Sequence, residues 1–449
     1  MIPKQRKCPS ILLALVLFAL PRPGIWESSS AAMPSVQRMV LPNQLKLLFL
    51  EDHSLPFVTF NLLIEAGSWR DGQGEEGLAN LTARTLLLGT SKHSAAAVNE
   101  ELDFLGSGID SSCDVDYAAL SLRILKKDLA KGFDIFMETL TQPTFPEDEM
   151  RRAVESILGT LQATEDQPHE LAEREFRKAL FLNNPYAHPV EGTKESLGGI
   201  KRESVLEFYQ SYYRPNNAIL AISGDITLEE VKAWLIPGLA QWGAREIPSG
   251  TFDESFATGP KMVKTDRTVS QASIVLGHKG IERQNRDYYA VAVMNSILGG
   301  GGFASRLMEE IRIKRGLAYA AGSIFPYHKH PGSFQVVVQT KNSTAREVID
   351  LVIGEMKRIQ NEPVSDQELE AAKKYLIGSF PLRFATQQDT AEFFTQVEFF
   401  GLGLDYPEKY PSFIQAITRD DVQRVARAYL HPDNCIMSIV ANLKEAGME

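Results

Sequence analysis

AGSWRDGQGEEGLANLTARTLLLGT, residues Ala66–Thr90, is the stretch from which the chain is read. It opens on turn formers, Asp71, Gly72, Gly74 and Gly77, and then changes character. From Gly77 to Arg84 (GLANLTAR) and beyond, Leu78, Leu81, Thr85 and Leu88 fall at i, i+3, i+7 and i+10, the spacing of one helix face. Taken alone this is the start of an ordinary amphipathic helix. Its meaning depends on what surrounds it.

Upstream, VQRMVLPNQLKLLFLEDHSLPFVTFNLLIEAGS (Val36–Ser68) predicts two strands. Pro42-Asn43 marks a turn; Leu45, Leu47 and Phe49 then alternate as in a half-buried strand, and Val58, Phe60 and Leu62 repeat the pattern. Downstream, AAAVNEELDFLG (Ala95–Gly106) reads as a helix, and IDSSCDVDYAALSLRIL (Ile109–Leu125) alternates like a strand. Leu129–Thr164 is a helix, a proline-marked break and a second helix.

Two pairs of segments echo each other. VLEFYQSYYRPNNAILAISGDITLEEVKAWL (Val205–Leu235) and VQRVARAYLHPDNCIMSIVANL (Val422–Leu443) both run helix, aromatic, Pro, Asn, apolar strand. Phe133–Ala153 and Leu351–Ala372 both run helix, proline turn, acid-rich helix start. The echoes keep their order at a shared offset of roughly 220 residues, far beyond solenoid periods. The chain therefore reads as an α+β protein of two homologous domains from an internal duplication, each a mostly antiparallel sheet packed against helices. The expected organisation is residues 33–247, a polar Pro/Gly-bearing linker at 248–260, and residues 261–449.

The second half contains NSILGGGGFASRLMEEIRIKRGLAYAAGS (Asn295–Ser323), with Gly299, Gly300, Gly301 and Gly302 ahead of a helix expected from about Ser305. Glycines permit unusual backbone angles and close approach of another chain. A phosphate-binding reading is disfavoured, because neither G-K-[ST] nor a dinucleotide fingerprint is present.

Together the two stretches resemble the pitrilysin/insulinase-type metallopeptidases, which include the mitochondrial processing peptidase. There the first segment reads approximately G-x-A-H-x-x-E-H. Two histidines on one helix face hold zinc, and the glutamate is the general base. In this chain those positions are Asn80, Ala83 and Arg84, and the third-ligand glutamate aligns near Thr160. Amide, methyl and guanidinium are not zinc ligands, so the resemblance implies no metal bound by this chain. The Gly-rich stretch matches the second signature, L-G-G-x-G-x-x-S-R-L…R…G-L-x-Y. That match implies catalytic roles for Arg312 and Tyr319, which face the zinc from the opposite domain, and a substrate-binding role for Gly299–Gly302. The family's opening L-P-N-G turn is also present, with Gln44 replacing the glycine.

Some members of the family work as two subunits, one with zinc and one without. The expectation is a zinc-free subunit of a heteromeric metallopeptidase. Its partners would be a homologous zinc-bearing chain, which holds the zinc, and an extended peptide substrate; Arg312 and Tyr319 would act in trans. The alternative is a member that kept the fold and lost catalysis, acting as a binding or structural protein.

The remaining features bound this reading. Lys4, Arg6 and Lys7 precede a short apolar run, Ile11–Leu20, and Ser30-Ala31-Ala32 offers a cleavage site, so residues 1–32 read as a signal peptide and the location as periplasmic or secreted. The whole chain carries a net charge of −10. Removal of residues 1–32 leaves about −13, a poor balance for binding nucleic acid. No other stretch approaches membrane-span length. Cys113 and Cys435 make neither a disulfide framework nor a metal signature. His328 and His330 read as a solvated loop, His53, His93 and His188 as structural, and Ser365 with Glu368 as a capping box.

Overall fold

The computed structural model describes residues 35–449, which form one compact unit; the segment read as a signal peptide lies outside them. Eleven strands form two sheets among the described residues. The first contains β1 (Gln37–Val40), β2 (Lys46–Glu51), β3 (Phe57–Ile64), β4 (Gly108–Cys113), β5 (Ala118–Leu125) and β6 (Ala218–Gly224), in the order β1-β2-β6-β3-β5-β4. The second contains β7 (Lys261–Asp266), β8 (Gln271–Lys279), β9 (Ala318–Ile324), β10 (Ser333–Lys341) and β11 (Ile436–Ala441), in the order β7-β11-β8-β10-β9.

The duplication is visible in the pairing. β2 runs parallel to β6 as β7 does to β11. β3 is antiparallel to β6 and β5 as β8 is to β11 and β10. Each sheet ends on an antiparallel edge strand, β4 beside β5 and β9 beside β10. The two folds share one topology, each with a single parallel pair in an otherwise antiparallel sheet, and β1 is an addition to the first.

The helices that matter here are α1 (Leu78–Thr85), α2 (Ala95–Phe104), α3 (Leu129–Thr141), α4 (Glu147–Glu165) and α5 (Pro168–Leu180), with Asp366–Ser379, Gln387–Phe399 and Arg419–Tyr429 in the second half. α5 does not stay with its own half. Leu171, Phe176 and Leu180 pack on Val275, Ile436 and Val440 of the second sheet. Reciprocally, the helix Gln387–Phe399 packs on β3 and β6 of the first sheet. Each sheet is thus covered on one face by its own helices and on the other by a helix from the opposite half.

This exchange corrects the half-buried expectation. In β2, Leu47 and Phe49 join the first core, while Leu48 and Leu50 turn into the core of the second half. Apolar side chains on both faces are what a doubly covered strand requires. The stretch Ile109–Leu125 also differs: it is a hairpin, not one strand, because Asp114 to Tyr117 reverse the chain between β4 and β5, with the Asp114 amide donating to the Tyr117 carbonyl at 2.8 Å. Gln44 adopts φ +69°, so the turn keeps the left-handed conformation that glycine would occupy more cheaply. Cys113 and Cys435 are both free.

Candidate functional site

α1 is started by Asp71, whose two carboxylate oxygens accept from the amides of Gly77 and Ala79, each at 2.8 Å. Gly77 stands at φ +96°, and a Cβ there would lie 2.6 Å from the Glu191 carbonyl oxygen, so only glycine lets this turn close. Burial of the Asp71 carboxyl end pushes its pKa up to about 8, against the two amide hydrogen bonds that favour the anion.

α1 then presents the degenerate positions. Asn80 is buried, and its Nδ2 has no hydrogen-bond partner. Ala83 is fully buried against β4, where Ser111 Oγ donates to the Ala83 carbonyl at 2.8 Å. Arg84 is exposed. Thr160 lies on α4, which packs against α1, and its hydroxyl donates back to Ser156 O at 3.1 Å. These residues do not fit zinc: the buried group is an amide, the general-base position is a methyl, and the second ligand position is a cation turned to solvent. Among the described residues no group of three His, Cys, Asp or Glu side chains converges as a metal site.

The second constellation lies at the far edge of the second sheet. The backbone winds loosely from Ser296 to Gly300, turns through Gly301 and Gly302, and re-enters a helix that carries Met308–Ile313. Three of the four glycines have packing reasons. A Cβ on Gly299 would meet Ser323 Oγ at 2.5 Å, one on Gly300 would meet Asn295 Nδ2 at 2.6 Å, and one on Gly301 would meet Ser296 O at 2.5 Å. Gly302 has open space but φ +59°. The loop is therefore pressed against β9, and Asn295 ties it there by donating to Ser323 O at 3.2 Å.

Arg312 and Tyr319 are brought together. Arg312 Nη1 donates to the Tyr319 main-chain carbonyl at 2.6 Å. Its guanidinium lies over the Tyr319 ring at 4.4 Å and over the Phe303 ring at 4.7 Å. Tyr319 is 82% exposed and Phe303 63%. The result is a surface stack of two aromatic rings around one cation, a favourable arrangement for arginine.

The two edge strands differ. Along the outer side of β9, the Tyr319 carbonyl takes Arg312, the Ala321 amide meets Met308 Sδ at 3.3 Å, and the Ser323 carbonyl takes Asn295. β4, next to α1, has no backbone partner on its outer side among the described residues. An unpaired row of amides and carbonyls can receive an added strand.

The histidine expectations divide. His53 pairs with Asp225 at 2.6 Å, His93 with Glu138 at 2.8 Å, and His188 with the Pro189 carbonyl at 2.9 Å, all local structural contacts. His328 and His330 are not a solvated loop. His330 stacks on Phe252 at 3.8 Å with Trp69 alongside, and His328 packs on Tyr186. Between them the Lys329 amide donates to Asp116 Oδ2 at 2.8 Å, and Asp116 Oδ1 accepts from the Tyr186 hydroxyl. This junction of the two halves carried no sequence signal beyond the aromatic residues of polar loops. Ser365 and Glu368 do form a capping box, and Glu368 also holds Arg306 at 2.7 Å.

Sequence comparison places this geometry. Residues 46–194 match the model of insulinase (peptidase family M16), and residues 199–376 match that of the peptidase M16 inactive domain. The chain belongs to the M16, or insulinase-type, peptidase family. Within that class it is similar to a Helicobacter pylori protein named non-peptidase homolog YmxG, 27% identical over 409 residues, which cover 90% of this chain and 94% of that protein. An uncharacterised zinc protease of Streptomyces coelicolor is 25% identical over 423 residues, 92% of this chain and 90% of that protein. A crystal structure of a peptidase M16 inactive domain from Pseudomonas fluorescens superposes with a TM-score of 0.85 at 28% identity, covering 91% of this chain and 98% of that one. The residues at the zinc-site positions of this M16 chain fit a protein that holds no zinc itself.

Proposed function

We propose that this chain is the zinc-free subunit of a heteromeric, periplasmic or secreted M16 metallopeptidase. Its partner is a homologous chain with an intact H-x-x-E-H helix, and its substrate is an extended peptide. The observation that carries the reading is an asymmetry: α1 has lost every ligand, whereas Arg312 and Tyr319 are kept together and Tyr319 projects 82% exposed from the surface. A tyrosine hydroxyl so placed can donate to the oxyanion that forms when a peptide carbonyl is attacked. The free outer edge of β4 suits a peptide that adds as a strand, with its main chain giving affinity and alternate side chains giving specificity. Gly299–Gly302 shape the rim of the same constellation and would contact substrate there.

One observation favours a second reading, a binding or structural protein without catalysis. Arg312 is engaged within its own chain, by a carbonyl and two rings. The named non-peptidase relative is compatible with it.

The test is reconstitution. The chain is purified alone and with a zinc-bearing M16 chain from the same organism, and cleavage of a quenched fluorescent peptide library is measured. Activity that requires both chains supports the subunit reading. Zinc-dependent cleavage by this chain alone would sink it, and association without any gain in cleavage would favour the structural reading.

A further inference from the structure

Arg283, just beyond β8, is only 5% exposed, yet it has no carboxylate partner among the described residues. Its Nη2 donates to the Tyr406 hydroxyl at 3.0 Å, and its guanidinium lies 3.8 Å from the centre of the Tyr288 ring. Its backbone is fixed as well, the amide donating to the His328 carbonyl at 2.9 Å. A buried charge without a counter-ion is costly, and aromatic faces offset only part of that cost.

Arg283 is not enclosed by protein on every side. It lines a cavity of about 430 Å³, and the exposed Arg383 lines the same cavity. The Arg383 guanidinium lies 5.7 Å from the centre of the Phe380 ring and has no ion pair among the described residues. The rest of the lining is mixed: the side chains of Tyr327, Phe393, Val397 and Phe400 stand beside the Gln396 amide. Two carboxylates also reach the rim. Asp389 is committed to the Thr386 hydroxyl at 2.8 Å, and Glu392 lies 3.4 Å from the Gln396 amide. Tyr327 is shared with a smaller cavity of about 160 Å³ that includes Ile324, Asn295 and Gly300. The two cavities meet at Tyr327, which places the Arg283 cavity next to the end of β9 and the Gly-rich loop.

We propose that this cavity binds the free C-terminal carboxylate of a peptide whose last side chain is apolar. A carboxylate is the planar acceptor that matches an arginine fork. The aromatic and aliphatic part of the lining takes the side chain, and the volume suits one or two residues. Asp389 and Glu392 repel any anion, and a polyanion more than a single carboxylate, so the site suits one carboxylate set on the arginines. The proposal extends the peptide-binding reading to a defined end of the peptide. It is tested on this chain alone, so it can fail while reconstituted cleavage succeeds, and the reverse.

The probe is a hexapeptide ending in leucine, labelled at its N-terminus, prepared as the free acid and as the C-terminal amide. Fluorescence anisotropy gives both affinities. The expected result is at least about tenfold tighter binding of the acid, a full factor of ten in Kd. Arg383→Gln, at an exposed position that leaves the core intact, removes most of that preference, and Arg283→Lys, which keeps the charge and loses the fork, reduces it. The proposal is overturned by equal affinities, by no binding of the acid below about 1 mM, or by a preference that survives both substitutions.

Discussion

Arg312 donates to the main-chain carbonyl of Tyr319 at 2.6 Å and lays its guanidinium against the Tyr319 ring at 4.4 Å. The arginine thus holds the tyrosine by its backbone and its face, and the hydroxyl has no partner among the described residues. If the hydroxyl serves an oxyanion, Tyr319→Phe should lower kcat of the reconstituted pair by ~10²-fold, the scale for losing one such donor. The exposed ring contributes little to folding, so Tm should stay unchanged. Arg312→Lys keeps the charge but loses the planar stack and one arm of the fork, and should lower both kcat and the order of the Tyr319 ring by NMR. Full activity of the phenylalanine variant would leave the stack a purely structural feature.

The Gly-rich loop separates two demands on glycine. Gly299 is held against Ser323, where a Cβ would lie 2.5 Å from the hydroxyl and 2.6 Å from the amide. Gly302 has room but a left-handed φ of +59°. Gly299→Ala should therefore cost about 3 kcal/mol by overpacking and Gly302→Ala about 1 kcal/mol by backbone strain, measured by urea unfolding. If the order is reversed, the loop does not sit against β9 as described.

Which parts of this were legible in the sequence follows from how local each signal is. The duplication was, because helix, proline turn and apolar strand recur in the same order at one offset; the strand order within each sheet was not, because pairing between distant strands leaves no local signal. The replacement of the ligand residues was, because Asn80, Ala83 and Arg84 occupy a fixed frame within one helix. The burial of Leu48 and Leu50 was not, because the helix that covers them, Gln387–Phe399, arrives from the other half. The docking of His328 and His330 was hidden for the same reason: their partners Tyr186, Phe252 and Trp69 lie far away in the chain. Arg283 carries no sequence signal, because an arginine in a polar turn has the pattern of a solvated side chain, and its tyrosines, Tyr288 and the distant Tyr406, come together only in the fold.

Asp116 is the polar hinge pin of the two halves, only 1% exposed, accepting from the Tyr186 hydroxyl and from the Lys329 amide at 2.8 Å. Asp116→Ala strands both donors in the junction and should cost about 3 kcal/mol, whereas Tyr186→Phe removes one hydrogen bond and should cost about 1 kcal/mol. The two share a network, so the double variant should lose less than the two losses combined. Additive losses in urea unfolding would mean the residues act independently.

His278 gives the fold an acid-sensitive point. It is 4% exposed; its Nδ1 donates to the Lys279 carbonyl at 2.8 Å, and its Nε2 accepts from the His431 amide at 3.0 Å. A ring that donates at one nitrogen and accepts at the other is neutral, and burial lowers its pKa to about 4. In the unfolded chain the ring takes up its proton near pH 6.5. Between these values the unfolded state binds more protons, so this contribution is complete above pH 6.5 and is lost as pH falls towards 4, by about 3 kcal/mol in all. His278→Gln, which can keep one of the two hydrogen bonds, should lower stability at pH 7.5 and flatten its decline between pH 6.5 and 4. An unchanged slope would assign the acid sensitivity to other groups.

The degenerate zinc helix can be tested by restoring it. Asn80→His and Arg84→His return two imidazoles at i and i+4, and Ala83→Glu returns the carboxylate between them. Ala83 is fully buried, so that carboxylate enters a site shaped for a methyl and the triple variant should lose stability. Zinc sites of this kind need three protein ligands, and Thr160 on α4 supplies none. The triple variant should accordingly carry well below one zinc per chain after dialysis. Adding Thr160→Glu, on the helix that packs against α1, should raise zinc towards one per chain and recover part of the lost stability, because bound metal stabilises only the folded form. Metal content by mass spectrometry and Tm with and without a chelator distinguish the outcomes. Stoichiometric zinc in the wild-type chain would overturn the assignment of α1 as a helix stripped of its metal.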